Sequence, residues 1–382
     1  MDEHKSKASK RFQWALFAVT LGLLAYFCIS DNNLTTLLHS LPTLNFFWLL
    51  CAGACVALNW FMDSLVIKNL ISSAYDTDYE WKHAFRVTMV GQYFNSVTPY
   101  AVAGQPMQLL ALTRQGVSSG IALSALVRKY LVYQTSITFY SLLVILIKYQ
   151  FFRSQIQGFM ALAFIGFVAQ AAVVVVLLLF TRSPSFTTKM IQVVIWLLTK
   201  LHVVKHPEET SQKVKGQLEF YIENNKAMLG NKLMRFKIYG YSVAQLTALF
   251  SVPFFLYKAF HNPGVPIVDM IAAQSFVTMI SSYTPLPGAA GAAEGSFLMI
   301  FQIFFQQGII RQAMLLWRLI TYYSCIIVGA FFAGLENKNE KLKSRIGNKN
   351  EPNSDNKAQK TAAQEQAGNG EIQDAVVQPE GK

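Results

Sequence analysis

GQYFNSVTPYAVAGQPMQLLAL, residues 91–112, and MISSYTPLPGAAGAAEGSFLMIF, residues 279–301, are apolar stretches broken near their middles by Pro and Gly. Neither can run through as one regular helix, because Pro removes a backbone donor and clashes with the preceding turn. The two stretches resemble each other. Ser96, Thr98 and Pro99 match Ser282, Thr284 and Pro285 at a constant offset of 186 residues. Further on, Gln115 and Gly116 answer Gln307 and Gly308, Arg128 answers Arg318, and Tyr133 answers Tyr323. The common order of these matches defines an internal repeat in the two halves of one chain.

Around the broken stretches lie apolar blocks too long for a soluble core. About 20 apolar residues carry a helix across the hydrocarbon of a bilayer, where every backbone polar group must be satisfied internally. Six segments reach that length: Phe12 to Ser30, Phe46 to Ile67, Ser119 to Ile147, Ile156 to Phe180, Ile238 to Tyr257 and Gln312 to Leu335. The first follows Lys5, Lys7, Lys10 and Arg11 and lacks a small-residue cleavage site, so it reads as an uncleaved anchor. The expected fold is all-α: a polytopic membrane helix bundle with about six full spans plus two re-entrant hairpins in inverted repeats.

The net charge of +12 lies wholly before residue 336, since the last 47 residues are neutral overall. Lys and Arg in short flanking loops mark the cytoplasmic side. The cytoplasmic N-terminus is therefore 1–11, the transmembrane domain 12–335, and a disordered cytoplasmic tail 336–382, rich in Asn, Gln, Glu, Lys, Ala and Gly. Within the domain, 181–237 forms a basic cytoplasmic loop with ten basic and four acidic residues. Phe186, Met190, Val193, Leu197 and Leu201 recur there at helical spacing, the pattern of an interfacial helix, and a second helix is expected from Pro207 to Gly230. The segment 184–230 is a docking surface for a cytoplasmic transferase partner or a packing strut.

With both termini inside and six crossings, the first broken stretch enters from the cytoplasm and the second from outside. The two hairpins then meet near the midplane, where transporters of inverted-repeat architecture hold their substrates. Charges inside such spans are costly and face a cavity or a partner. Asp63, Arg128, Lys129, Glu294 and Arg318 are the ones to explain. One reading makes Arg128 and Arg318 a phosphate-binding pair with Glu294 holding one Arg in place, because a planar guanidinium grips phosphate at two points. The other is a Glu–Arg pair that only neutralises itself in the core.

Other chemistry is not suggested. The chain has neither a Gly-rich nucleotide loop nor an H-E-x-x-H pair, and its six His are scattered. Its four Cys (Cys28, Cys51, Cys55 and Cys325) sit in apolar blocks and read as packing. No catalytic residue, metal or cofactor is expected. The basic charge is accounted for by cytoplasmic loops, so a nucleic-acid partner is not needed; a homo-oligomer is compatible with the pattern.

At the two broken stretches the sequence resembles the lysylphosphatidylglycerol synthase transmembrane, or flippase-like, family, the membrane region of multiple peptide resistance factors. The carrying residues are Phe94, Asn95, Pro99, Gly104, Gln105 and Pro106, then Pro285, Pro287, Gly288, Gly291, Glu294 and Gly295, followed by Arg318. The first stretch is similar to the Gly-Gln-Pro variant common in Gram-positive bacteria; Ala103 and Ala289 stand where many members have Gly. The resemblance implies a multi-pass protein of the bacterial cell membrane that binds and translocates phospholipid, phosphatidylglycerol or its aminoacyl form, between leaflets. It also implies a contribution to resistance against cationic antimicrobial peptides. Lipid-contacting candidates are Asn95, Pro99, Gly104, Gln105, Arg128, Lys129, Pro285, Pro287, Gly288, Glu294 and Arg318. In the family's best-known members a soluble domain moves lysine from lysyl-tRNA to phosphatidylglycerol. The low-complexity residues after Leu335 give no such domain here, so phosphatidylglycerol lysyltransferase activity is not expected of this chain alone. Two alternatives stand beside translocation: lysyl-tRNA-dependent phosphatidylglycerol lysyltransferase by family inheritance, or a membrane subunit of aminoacyl- or glycolipid synthesis with a separate catalytic partner; and an ion-coupled transporter of a small solute.

Overall fold

In a computed structural model that describes residues 41–75, 78–155, 159–183, 185–190, 192–193, 232–282, 284 and 286–334, these residues fold almost wholly as helices. The first expected span, most of the basic loop, Pro285 and the tail lie outside these residues. The first half comprises α1 (Phe46–Tyr75), α2 (Trp81–Val97), a tight turn (Pro99–Ala101), α3 (Gly104–Arg114), α4 (Ser119–Gln155) and α5 (Phe159–Arg182). The second comprises α6 (Lys232–Ala259), α7 (Ile267–Ser281), a turn (Pro287–Ala289), α8 (Ala292–Phe301), α9 (Gln307–Arg318), a π turn (Leu319–Tyr323) and α10 (Ser324–Gly334). Among the described residues five helical stretches are long and apolar enough to cross a bilayer: α1, α4, α6, residues Ala163–Thr181 of α5, and the rod Gln307–Gly334. They are the last five of the six spans read from the sequence.

The repeat is visible in where the elements begin. α1 and α6 start 186 residues apart, as do α2 and α7. Beyond the hairpin tips the interval becomes 188, for the turns at Pro99 and Pro287, for α3 and α8, and for α4 and α9. The two turns share their backbone: φ is positive at Tyr100 and Ala101 (53° and 54°) and at Gly288 and Ala289 (59° and 54°). Two residues have therefore entered the second half between Ser282 and Pro287. This corrects the register taken from sequence: Pro99 is equivalent to Pro287 and not to Pro285, Arg128 falls opposite Leu316, and Arg318 opposite Tyr130. A connecting turn absorbs such an insertion without disturbing the helices on either side, which is why matching residues across it misleads.

The two halves are inverted. α1 and α6 pack antiparallel, with Asn45 N donating to Ala259 O at 3.0 Å, Trp48 stacked on Phe255 at a ring separation of 6.0 Å, and Asn59 Nδ2 donating to Gln245 O at 3.1 Å. Asn59 and Gln245 are equivalent residues, so the pseudo-two-fold axis passes between them. At the C-terminal end of α1, Tyr75 Oη accepts from Ser118 N at 2.8 Å, fixing the open end of the α2–α3 hairpin there. The open end of the α7–α8 hairpin sits at the C-terminal end of α6, where Tyr257 and Phe260 pack against Phe305. Since α1 and α6 run in opposite directions, the hairpins open on opposite faces. Their tips touch in the middle.

Core packing follows the same symmetry. One buried cluster is built mainly from the second half and takes in Ala52, Val56 and Trp60 from the start of α1. The other is built mainly from the first half and takes in Ile238 from the start of α6. Outward faces remain apolar, with Phe46, Leu146, Phe164 and Phe331 largely exposed. In water such surface would be a liability; in a bilayer it is the lipid contact.

Candidate functional site

The first hairpin closes because its limbs exchange glycines and amides. A Cβ placed on Gly104 would lie 1.9 Å from Asn95 Oδ1, and one on Gly91 would lie 2.1 Å from Gln108 Nε2. Each limb thus contributes one Gly and one amide side chain, letting α2 and α3 approach closely. Gln108 Nε2 also donates to Val87 O at 3.3 Å. At the base, Tyr79 hydrogen-bonds to Gln115, and burial pushes its phenol above the ordinary range, so it remains the donor.

The second hairpin is organised by charge. Glu294, in the first turn of α8, accepts from Gly291 N at 2.6 Å through one carboxylate oxygen. Its other oxygen lies 2.7 Å from Arg318 Nε. Arg318 Nη1 donates to Gly288 O at 2.9 Å, and the guanidinium is flanked by the rings of Trp317 and Tyr322 at 5.1 and 5.3 Å. Nη2 has no hydrogen-bond partner among the described residues, although Arg318 is only 7% exposed. The helix begins at Gln307 rather than Gln312. Arg318 is therefore about 16 Å from its start at 1.5 Å per residue, too deep for an interfacial anchor.

Tyr322 ties the two hairpins together. A Cβ on Gly288 would lie 2.2 Å from the Tyr322 ring, so only Gly fits at this turn, where φ is also positive. The Tyr322 hydroxyl donates to Ser96 O at 2.9 Å, at the end of α2. It reaches both tips because the π turn of Leu319–Tyr323 offsets this stretch from the regular helix. α10 then returns along α2, Gly329 packing against Met89 and Tyr93.

At the junction α2 and α7 end while α3 and α8 begin. Helix ends that carry carbonyls and helix starts that carry N–H groups therefore meet at one place. Pro99, Tyr100, Ala101 and Val102 on one tip, and Leu286 and Gly291 on the other, are exposed. Irregular backbone at membrane depth is tolerated only where it lines a cavity or is covered by protein. Beside the first tip a cavity of about 390 Å³ runs between α3, α4 and α5; Gln105, Pro106, Leu109, Val127, Tyr130 and Val176 are among its lining residues, and its walls are almost wholly apolar.

The structure brings Gly288, Glu294 and Arg318 together, brings Asn95 onto Gly104, places Gln105 in the apolar cavity, and puts Pro99 and Pro287 at the start of the two touching tips. Pro285 lies outside the described residues. Arg128 is half-buried on α4 and does not share the site of Arg318 by symmetry. Lys129 is drawn elsewhere: its Nζ lies 2.6 Å from Asp63 Oδ2, with both residues buried. Tyr322, Trp317 and Gln108 were not singled out from sequence. For Tyr322 the available signal was an aromatic residue one helical turn beyond a buried Arg.

A helical bundle with two inward, oppositely directed hairpins defines a polytopic membrane protein of inverted-repeat type. The chain belongs to the family described as the lysylphosphatidylglycerol synthase TM region, whose pattern matches residues 13–329. It is also similar to a UPF0104 membrane protein of Archaeoglobus fulgidus, 23% identical over 272 residues, which cover 71% of this chain and 81% of that protein.

Proposed function

We propose that the protein binds a phospholipid headgroup at the junction of the two hairpin tips and passes it between leaflets. The lipid is phosphatidylglycerol, its aminoacyl form or a close relative, and the setting is a bacterial cell membrane with both termini cytoplasmic. The observation that carries this reading is Arg318: buried at the tip junction, held by Glu294 and the Gly288 carbonyl, with Nη2 still uncommitted. Arg presents a fork of donors suited to phosphate. Helix starts and helix ends at the same junction supply N–H groups for the phosphate and carbonyls for an amine, the two charges of an aminoacylated headgroup. The apolar cavity beside Gln105 accommodates an acyl chain while the headgroup crosses. Export of a cationic lipid would lower the negative charge of the outer leaflet and so weaken the attraction of cationic antimicrobial peptides.

Reconstitution into vesicles with fluorescent phosphatidylglycerol or lysyl-phosphatidylglycerol in one leaflet tests the proposal. Quenching of the exposed leaflet should reveal protein-dependent exchange that Arg318→Ala abolishes in a folded protein. Absence of movement for every anionic and aminoacyl lipid tried would sink it.

A further inference from the structure

Asp63 is the only acidic residue on α1, α2, α4 or α6, and it is buried against Lys129 at 2.6 Å. This pair lies outside the Glu294–Arg318 cluster. The internal repeat supplies a control for what it is doing. Its equivalents in the second half are Leu249 and Trp317, both apolar, so the same fold fills these positions without charge. Replacing a buried ion pair by apolar side chains is often neutral or stabilising. An architecture that manages with Leu and Trp in one half does not require Asp and Lys in the other. Ionisable groups inside membranes commonly mark ion pathways and proton relays.

Resting on the headgroup reading above, we propose that Asp63 is a proton-binding site whose protonation hands Lys129 over to the phosphate of an anionic lipid. With Asp63 ionised, the pair is neutral and Lys129 is engaged. When the Asp63 carboxylate takes up one proton from water, its hydrogen bond to Lys129 loses its ionic partner and the ammonium is left as a buried cation. A phosphate monoanion restores neutrality. One proton and one anionic headgroup therefore enter together with no net charge added to the core, and each raises the affinity for the other. Val127 and Tyr130 line the cavity that begins at Gln105, whereas Lys129 itself is turned to Asp63, so its flexible side chain reaches a phosphate only by swinging away from that carboxylate.

Among the described residues, no other carboxylate lies on the helices packed against α1. The titratable and charged side chains those elements bring near this level are Arg128, Tyr130 and Tyr133 on α4, Tyr93 on α2, Tyr241 on α6, and Tyr322 and Tyr323 on the π turn. The phenols are neutral at physiological pH and Arg128 is a fixed cation. Asp63 is thus the one carboxylate that these helices offer to a proton.

The test is proton uptake on lipid binding by the full chain in weakly buffered detergent near neutral pH. Short-chain phosphatidylglycerol is the probe and phosphatidylcholine the control. Wild type should take up close to one proton per phosphatidylglycerol bound and none with phosphatidylcholine, and its affinity for phosphatidylglycerol should fall close to tenfold per pH unit above neutrality. Asp63→Asn should bind phosphatidylglycerol without proton uptake and without that pH dependence. Asp63→Leu combined with Lys129→Met, which keeps the core apolar as in the second half, should fold and lose the uptake. Binding by wild type without proton uptake, or equal uptake by either variant, overturns the proton site and leaves the headgroup reading standing. Absence of binding to any anionic lipid overturns both.

Discussion

The Tyr322 hydroxyl of the second half donates to the Ser96 carbonyl of the first half at 2.9 Å, while the same ring covers Gly288 and lies 5.3 Å from the Arg318 guanidinium. One side chain thus touches both hairpins and the buried cation. Ser96 is the penultimate residue of α2, so its carbonyl is among those a helix leaves without an intrahelical partner. Tyr322 supplies that partner from the other repeat.

Tyr322→Phe keeps the ring over Gly288 and removes only this hydrogen bond. A net loss of about 1 kcal/mol is expected, seen as a modest drop in the detergent melting temperature with lipid exchange reduced but present. Tyr322→Ala also removes the ring beside Arg318 and should cost several-fold more in both readouts. Equal effects of the two substitutions would show that the hydroxyl matters and the ring contact does not.

Gly104→Ala should open the first hairpin, because the new methyl falls 1.9 Å from Asn95 Oδ1. The nearest obstacle is a short side chain, not backbone, so the defect should be reparable. Combining Gly104→Ala with Asn95→Ala should recover most of the lost thermal stability. The coupling between the two changes is expected at about 0.5–3 kcal/mol, the range seen for residues in contact. Additive losses would mean that the limbs do not meet at this point.

Lys148 and Asp269 form the ion pair that links α4 of the first half to α7 of the second, at 2.6 Å. It is partly exposed, at 28% and 13% of the side chains, so solvent screening limits its contribution to about 1 kcal/mol or less. Either single charge reversal should lower stability slightly, and the double exchange Lys148→Asp with Asp269→Lys should restore it. Raising the salt concentration should shrink the difference between wild type and the single variants.

The fold was largely legible because its determinants are local. Apolar runs long enough to span declared α1, α4, α5, α6 and the α9–α10 rod, and Pro with Gly at residues 99–106 and 285–295 declared the two breaks. Inversion followed from counting crossings. The site was legible only in part. Glu294 and Arg318 announced themselves as charges in apolar sequence, and their pairing is observed. The symmetry suggested for Arg128 and Arg318 fails, because the two-residue insertion before Pro287 shifts everything beyond it and no pattern of hydrophobicity marks where it falls. Lys129 illustrates a different limit. Its partner Asp63 lies 66 residues away, and which cation a buried carboxylate selects depends on helix packing that sequence spacing does not encode.

Glu294 and Arg318 allow the structural and functional readings of a buried pair to be separated. Glu294 holds Arg318 at 2.7 Å and Gly291 N at 2.6 Å, so it serves both as counter-ion and as helix cap. Glu294→Gln keeps an acceptor for the Gly291 N–H but removes the counter-charge from a cation that is only 7% exposed. Leaving one buried partner uncompensated costs about 3–5 kcal/mol, so this variant should melt at a clearly lower temperature. Adding phosphatidylglycerol should stabilise it more than it stabilises wild type, because an anionic headgroup then replaces the missing carboxylate. Replacing both residues, Glu294→Gln with Arg318→Met, removes the unpaired charge and should recover folding. If the pair only neutralises itself, this double variant retains lipid exchange. If Arg318 grips phosphate, it is folded and inactive, and its melting temperature no longer responds to phosphatidylglycerol. Thermal melts with and without lipid, run beside the vesicle assay on the same three proteins, decide between these outcomes.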